Sequence, residues 1–407
     1  MKENRKGDIF MSLVNTPSGN RLHIGIFGKR NSGKSSLLNA ITGQEIALVS
    51  EVKGTTTDPV SKAMEIHPIG PCLLIDTAGF DDTGDLGNMR IEKTKAVLDK
   101  TDVAVVVFSD MQMELETQWI TMLRQRKIPI LAVVNQVDRI EQVQEIKRQI
   151  EQRFSLTPLL VSAKEKTGIS QMKHEILRLM PPDFEAQSLT GSLVQPEDVV
   201  LLVMPQDKQA PKGRLILPQV QTIRDLLDNH CVVMCVTTEQ LSTALQALAK
   251  PPKLIITDSQ AFAQVYPLKP AETLLTSFSI LLAAYKGDLS AFVKGANALD
   301  SLTDDSHVLI AEACTHAPLQ EDIGRVKIPN MLRKKYGEHL QVTVVSGSQF
   351  PKDLSEYQLI IHCGACMFNR KHVLTRVEQA EQQGVPITNY GVVLAKLTGI
   401  LDRISMQ

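Results

Sequence analysis

The stretch GIFGKRNSGKSS, Gly25 to Ser36, decides the fold. It closes an apolar run, RLHIGIFG, and opens a helical pattern, SSLLNAIT. Between them lies Gly28-x-x-x-x-Gly33-Lys34-Ser35, with Asn31, Ser32 and Ser36 in and beside the same loop. The glycines let the backbone wrap around phosphate oxygens. The first N–H groups of the helix, with the positive end of its dipole, point at the same place. Lys34 can neutralise β- and γ-phosphates, and Ser35 can ligate Mg²⁺.

Outward from this loop, the first 180 residues alternate short apolar runs with longer helical patterns. The runs are RLHIGIFG, CLLIDTAG, VAVVVFSD, IPILAVVNQVD and PLLVSAK. Each is nearly continuous in apolar residues, as in strands buried on both faces of a parallel sheet. The expectation is a doubly wound α/β domain over residues 1–182, with an N-terminal arm at 1–20. PPDFEAQSLTGSLVQPED, Pro181 to Asp198, reads as a linker. Two smaller α/β domains are expected after it, at 195–285 and 286–407. TLLTSFSILLAAYKGDLSAFVKGANALDSL, between their strands, reads as helices.

Formal net charge is −1 over 407 residues, which implies no general polyanion binding. The N-terminus lacks the apolar core of a signal peptide, and no run reaches the length of a membrane helix. The expectation is a cytoplasmic protein that binds neither membrane nor nucleic acid. Six cysteines are too few for a disulfide scaffold. Cys72, Cys231 and Cys235 lie in or beside apolar runs and read as buried thiols. Cys314, Cys363 and Cys366 stand where such runs end, beside histidines.

Four more strings follow the phosphate loop in order. GTTTD (Gly54 to Asp58) offers Thr56 to Mg²⁺ and a γ-phosphate. DTAG (Asp76 to Gly79) places Asp76 at the metal and the Gly79 amide at the γ-phosphate. NQVD (Asn135 to Asp138) presents Asp138, which can accept both donors of a guanine edge. SAK (Ser162, Ala163, Lys164) can meet the base through backbone amides. The set resembles the translation-factor-like GTPases over roughly residues 20 to 180, with Gln136 where that family has Lys. Asn31 in the loop, and Phe80 where many GTPases carry a water-orienting Gln, are similar to the potassium-activated TrmE–Era–EngA group. That resemblance implies GTP and GDP binding. It also implies slow hydrolysis with Lys34, Thr56 and Gly79 at the phosphates and Asn31 holding K⁺. The loops at 51–60 and 79–90 would then be switches.

The C-terminal third holds two strings rich in possible ligands, EACTHAPLQEDIGRVKIPN and YQLIIHCGACMFN. Both follow apolar runs, and in open α/β sheets ligands gather at strand carboxyl ends. Cys314, Cys363 and Cys366 could then converge, with His316, His362, Glu321 and Asp322 as candidates for a fourth position. Spacing alone leaves a structural zinc site, a redox dithiol, an iron–sulfur cluster and unrelated buried thiols all open.

Cys-x-His, about 45 residues, then His-Cys-x-x-Cys, together with EDIGRVKIP and the N-terminal GTPase strings, resembles the FeFe-hydrogenase maturation GTPases, the HydF family. The resemblance covers essentially the whole chain. It implies a GTPase domain, a homodimerisation domain at 195–285 and a cluster-binding domain at 286–407. It implies a four-iron four-sulfur cluster on Cys314, Cys363 and Cys366, with His316 and His362 as fourth ligand or behind the ligands. The implied role is a scaffold that takes a diiron precursor from the radical-SAM maturases HydE and HydG and gives it to the apo-hydrogenase. The basic string RVKIPNMLRKKYG beside the site could attract such anionic cargo. The alternatives are an RNA-linked GTPase and a GTP-dependent zinc metallochaperone.

Overall fold

A computed structural model describes residues 16–43, 60–77, 96–182, 184, 188–205, 215–313, 322–347 and 349–406. The chain divides into two compact units, Met1–Glu185 and Ala186–Gln407.

In the first unit, six strands form one sheet in the order β2-β3-β1-β4-β5-β6. They are β1 (Leu22–Gly28), β2 (Val60–Ile66), β3 (Gly70–Asp76), β4 (Val103–Phe108), β5 (Ile130–Val134) and β6 (Leu159–Leu160). All pairings are parallel except β2 with β3. Alternate strand residues feed two apolar layers. Ile24, Val105 and Val133 pack with Leu38 of α1 (Lys34–Thr42) and Met172 of α4 (Ile169–Leu179). Phe27, Val106 and Val134 pack with Trp119 of α2 (Glu114–Gln125) and Ile150 of α3 (Val143–Phe154).

β2 is absent from the sequence reading for a physical reason. It is an edge strand in which Ser61, Ala63 and Glu65 are exposed while Lys62 and Met64 are half-buried. An edge strand alternates, and a search for continuous apolar runs passes over it.

The second unit carries two fully parallel four-stranded sheets, ordered β10-β9-β7-β8 and β12-β11-β13-β14. The first comprises β7 (Val199–Val203), β8 (Val232–Val236), β9 (Leu254–Thr257) and β10 (Leu274–Ser277). The second comprises β11 (His307–Glu312), β12 (Gln341–Ser346), β13 (Leu359–His362) and β14 (Ile387–Asn389). One apolar core runs from Leu201 and Ile255 of the first sheet to Val308 and Ile361 of the second. Two helices join the two sheets from within this core. α7 (Phe278–Lys286) packs on α5 (Leu217–Asp228) and on α10 (Arg370–Gln382) and α11 (Tyr390–Leu397), and α8 (Leu289–Ala296) packs on β14. Two further helices are α6 (Leu241–Ala247) and α9 (Ile328–Tyr336). Asp225 of α5 accepts hydrogen bonds from Leu189 N, Thr190 N and both hydroxyls of Ser188 and Thr190, which pins residues 188–190 to the helix.

Two sequence expectations change here. The segment expected to be wholly helical begins with β10, because TLLTSFSILLAAY is one apolar run in which a buried strand and a buried helix look alike. Cys235, expected to be buried, is exposed. It lies on β8, one of the sheet's two edge strands, where Val232 is 57% exposed and the neighbouring helix α5 shows Val220 and Leu227 to solvent. Among the described residues no helix is long and apolar enough to cross a membrane.

Gly295 of α8 lies so close to β14 that a Cβ there would overlap the Ile387 carbonyl. A backbone atom cannot rotate away. Gly295→Ala should therefore lower stability by about 1–3 kcal/mol or more. Urea unfolding of the intact chain followed by circular dichroism measures this, and an unchanged midpoint would contradict the backbone contact.

Candidate functional site

The phosphate loop leaves β1 at Gly28 and enters α1 at Lys34. Gly33 has φ +83°, and a Cβ there would overlap the Asn135 amide, so the loop tolerates only glycine. Lys34 is buried, and its ammonium donates to the carbonyls of Gly28 at 2.5 Å and Lys29 at 2.7 Å. Ser35 and Ser36 are exposed at the helix start. Ser32 Oγ is buried and has no hydrogen-bond partner among the described residues. A close backbone wrap, a held ammonium and an unanswered hydroxyl fit a phosphate-bearing ligand. Asp76 ends β3 in the neighbouring position and is buried. Thr56, Gly79, Phe80 and most of both expected switch loops lie outside the described residues.

The two expected base-binding strings meet the loop from β5 and β6. Asn135 donates to the Ser32 carbonyl at 3.0 Å and accepts from Ala163 N at 3.3 Å, so one buried amide ties loop to loop. Ser162 Oγ donates to Asp138 at 2.6 Å, and this bond holds the Asp138 carboxyl below its ordinary range. Asp138 is exposed and ionised, ready to accept from a ligand's N–H groups. Lys164 is exposed beside it. Gln136, at φ +63°, donates to the Asn31 carbonyl at 2.9 Å. On the loop's other side, Lys29 pairs with Asp110 at 2.8 Å and lies 3.9 Å from buried Glu116, whose carboxyl burial pushes up to about 7. Nothing in the sequence marked Glu116, which sits on the ordinary apolar stripe of α2.

In the second unit, β11 and β13 are parallel neighbours with Ala311 opposite His362. Ala313 N donates to Cys363 Sγ at 3.0 Å, and Ala365 N, from a residue at φ +52°, approaches the same sulfur at 3.4 Å. Two N–H groups aimed at one sulfur favour its thiolate form, the form that binds a metal. Cys366 packs among the apolar residues around Leu282. The chain thus passes Cys363 one residue before Cys314. Cys314, His316 and Glu321 lie outside the described residues, and among the described ones no group of three or more His, Cys, Asp and Glu side chains forms a metal site. Asp322, buried, accepts from Arg325 N at 2.8 Å as a helix cap.

His362 is fully buried. Its Nδ1 lies 2.8 Å from the Cys363 carbonyl, which can only accept, so Nδ1 carries the proton. Nε2 then accepts from Arg376 at 3.0 Å. Burial first, and the Arg376 charge second, hold its pKa down to about 3. Neither ring nitrogen is open to a metal. In this geometry both ring nitrogens of His362 are already engaged, one by the Cys363 carbonyl and one by Arg376.

Several residues near Cys363 were not foreseen. Asn389 Nδ2 donates to the Cys363 carbonyl at 3.2 Å. The Tyr390 phenol is pushed well above its ordinary pKa, by burial first and then by the negative charges of Cys363, Glu312 and Asp322. Arg325, expected as a receiver for anions, is paired with Glu312 at 2.9 Å and donates to Ser346 Oγ at 2.6 Å. Only Arg376 had a readable signal. It falls on the buried stripe Val373, Arg376, Val377, Ala380 of α10, where a cation is out of place.

Comparison with known proteins agrees with this architecture. A family model described as the Hydrogen maturase F tetramerization domain matches residues 290–406, and one described as the Hydrogen maturase F dimerization domain matches 189–287. A third, described as a 50S ribosome-binding GTPase, matches 23–136. Among curated relatives, the GTPase Der of Wolinella succinogenes is 33% identical over 172 residues, 39% of this chain and 36% of that protein. The tRNA modification GTPase MnmE of Flavobacterium johnsoniae is 32% identical over 190 residues, 44% of this chain and 39% of that protein. The chain thus spans little more than a third of the length of these relatives. With two hydrogen maturase F domains in succession behind a P-loop GTPase domain, the chain belongs to the hydrogen maturase F family.

Proposed function

We propose that this chain is a cytoplasmic GTPase scaffold of FeFe-hydrogenase maturation. In this reading it holds a four-iron four-sulfur cluster and passes a diiron precursor from the radical-SAM maturases HydE and HydG to the apo-hydrogenase. The observation that carries the cluster site is the 3.0 Å bond from Ala313 N to Cys363 Sγ, which brings the Cys314 and Cys363 strings to one place. Cys314, Cys363 and Cys366 hold the cluster. Three thiolates leave one iron position exchangeable, which is the chemistry a carrier needs. The protein's own part is to hold the Cys363 sulfur by two N–H groups and its carbonyl by His362 and Asn389. His316, Glu321 and Asp322 remain the candidates for the fourth position.

In the first unit GTP occupies the loop Gly28 to Ser36, with Ser32, Gly33 and Lys34 at the phosphates. Ser35, Thr56 and Asp76 hold Mg²⁺, Asn31 holds K⁺, and the Gly79 amide meets the γ-phosphate. Asp138, Asn135 and residues 162–164 take the guanine. A second copy of the chain pairs along the β8 edge at 195–285, which is supported by the exposed Val232 and Cys235 there and by the names of the two family domains. The domain division 1–182, 195–285 and 286–407 follows the same reading.

Three measurements test it. Anaerobic reconstitution with iron and sulfide should give a coloured, EPR-active cluster in the parent chain and none in Cys363→Ala. A colourless protein that retains stoichiometric zinc instead would sink the iron–sulfur reading in favour of a zinc carrier. Asp138→Ala should weaken GTP binding by about a hundredfold or more while ATP binding stays poor, because two hydrogen bonds to a charged acceptor are lost. Equal affinity in a nucleotide titration would remove Asp138 from the base site. GTP hydrolysis should run at least about tenfold faster in K⁺ than in Na⁺, and Asn31→Ala should abolish that difference; equal parent rates refute the cation role of Asn31.

A further inference from the structure

We infer that Arg376 is the positioning residue of the Cys363–Cys366 loop, gripping both of its ends and setting the distance between the two sulfurs. The inference rests on the cluster site proposed above and deepens it.

The case starts from cost. Arg376 is 2% exposed in the middle of α10, on a stripe otherwise made of Val and Ala. Burying a guanidinium is expensive unless its donors and its charge are both answered. Here the guanidinium lies between two rings, 4.9 Å from the Phe350 centroid and 4.7 Å from that of Phe368. One nitrogen meets His362 Nε2 at 3.0 Å and another donates to the Gly347 carbonyl. These contacts are not scattered. His362 and Phe368 flank the loop that carries both cysteines. His362 passes the constraint to the Cys363 carbonyl through its Nδ1–H at 2.8 Å. Phe368 stacks on His372 at 4.0 Å, and Asn369 caps α10, so the far end of the loop is fixed to the helix that bears Arg376. Gly347, the third anchor, lies just beyond the end of β12. One planar, five-donor group thus spans three segments at the strand carboxyl ends. A lysine could not, because its ammonium is a single point.

A second consequence follows from charge. A fixed cation two hydrogen bonds from a cluster ligand stabilises the reduced, more negative cluster and raises its potential. Arg376 therefore affects both how firmly the cluster is held and how readily it is reduced.

The test uses the full chain, reconstituted anaerobically, with Arg376→Gln and Arg376→Lys. Cluster loss to a chelator should be about 10–100-fold faster in Arg376→Gln, with the potential shifted to more negative values. Arg376→Lys should recover the potential but not the full retention. A purely packing role lowers the unfolding temperature of the metal-free chain and leaves the potential of the bound cluster unchanged; that result, or parental retention in Arg376→Gln, overturns the proposal. If Arg376→Gln does not fold, Arg376→Lys decides alone, and parental retention there overturns it. Cobalt(II) titration of the metal-free chain separates this idea from the cluster reading. A parent that takes up no iron–sulfur cluster sinks the earlier proposal. The thiolate–cobalt absorption should still change in position or intensity between parent and Arg376→Gln, and identical spectra reject the positioning role by themselves.

Discussion

Parallel pairing of β11 with β13 is the constraint on which the second unit's chemistry depends. The register sets Ala311 opposite His362, so both strands end at the same level. Whatever follows each strand must then share one small space. On one side that is Ala313 and the approach to Cys314; on the other it is Cys363 and its loop. Antiparallel pairing would have sent the two strings to opposite ends of the sheet. β11 and β13 are almost wholly buried, and a one-residue slip would drive every one of their side chains against the wrong neighbours, so the packed core fixes the register. The end of β11 and the Cys363 loop are thus held side by side by two buried strands. Gly295, which brings α8 into backbone contact with the next strand, belongs to the same packing.

Much of this was legible in the sequence because buried parallel strands are long apolar runs and because phosphate loops demand particular residues. Gly33 is required by its φ and by the Asn135 amide, so its place in the string is physically forced. What failed was also physical. β2 has an exposed face and alternates, β10 merges with the helix after it, and Cys235 lies on an edge that a single sequence cannot tell from a centre. The histidine shows the deepest limit. Spacing can place His362 beside two cysteines, but its role turns on which nitrogen bears the proton. That is decided by a carbonyl one residue away and a guanidinium on a helix fourteen residues on.

The two units answer buried charge in different ways. In the phosphate loop, Lys34 is held by backbone carbonyls, weak acceptors that a phosphate can replace without leaving a buried carboxylate behind. Around Cys363 the cations are held mainly by side chains. Arg325 is paired with Glu312, and Arg376 is enclosed by rings and an imidazole. The first arrangement suits a ligand that comes and goes. The second suits a resident group whose surroundings should not rearrange.

Gln136 links the base-binding string to the phosphate loop in a way that bears on the potassium reading. The related GTPases carry Lys at this position. Here a neutral amide donates to the Asn31 carbonyl at 2.9 Å, and both residues have left-handed backbones, at φ +63° and +64°. Left-handed conformations at non-glycine residues are costly and persist where neighbours hold them. The amide therefore fixes the backbone of the residue whose side chain is proposed to hold K⁺. A lysine could reach the same carbonyl with its ammonium, but the Gln136 amide makes the contact without adding a charge beside the phosphate loop. The base-binding string thus steadies the loop residue that the potassium reading depends on.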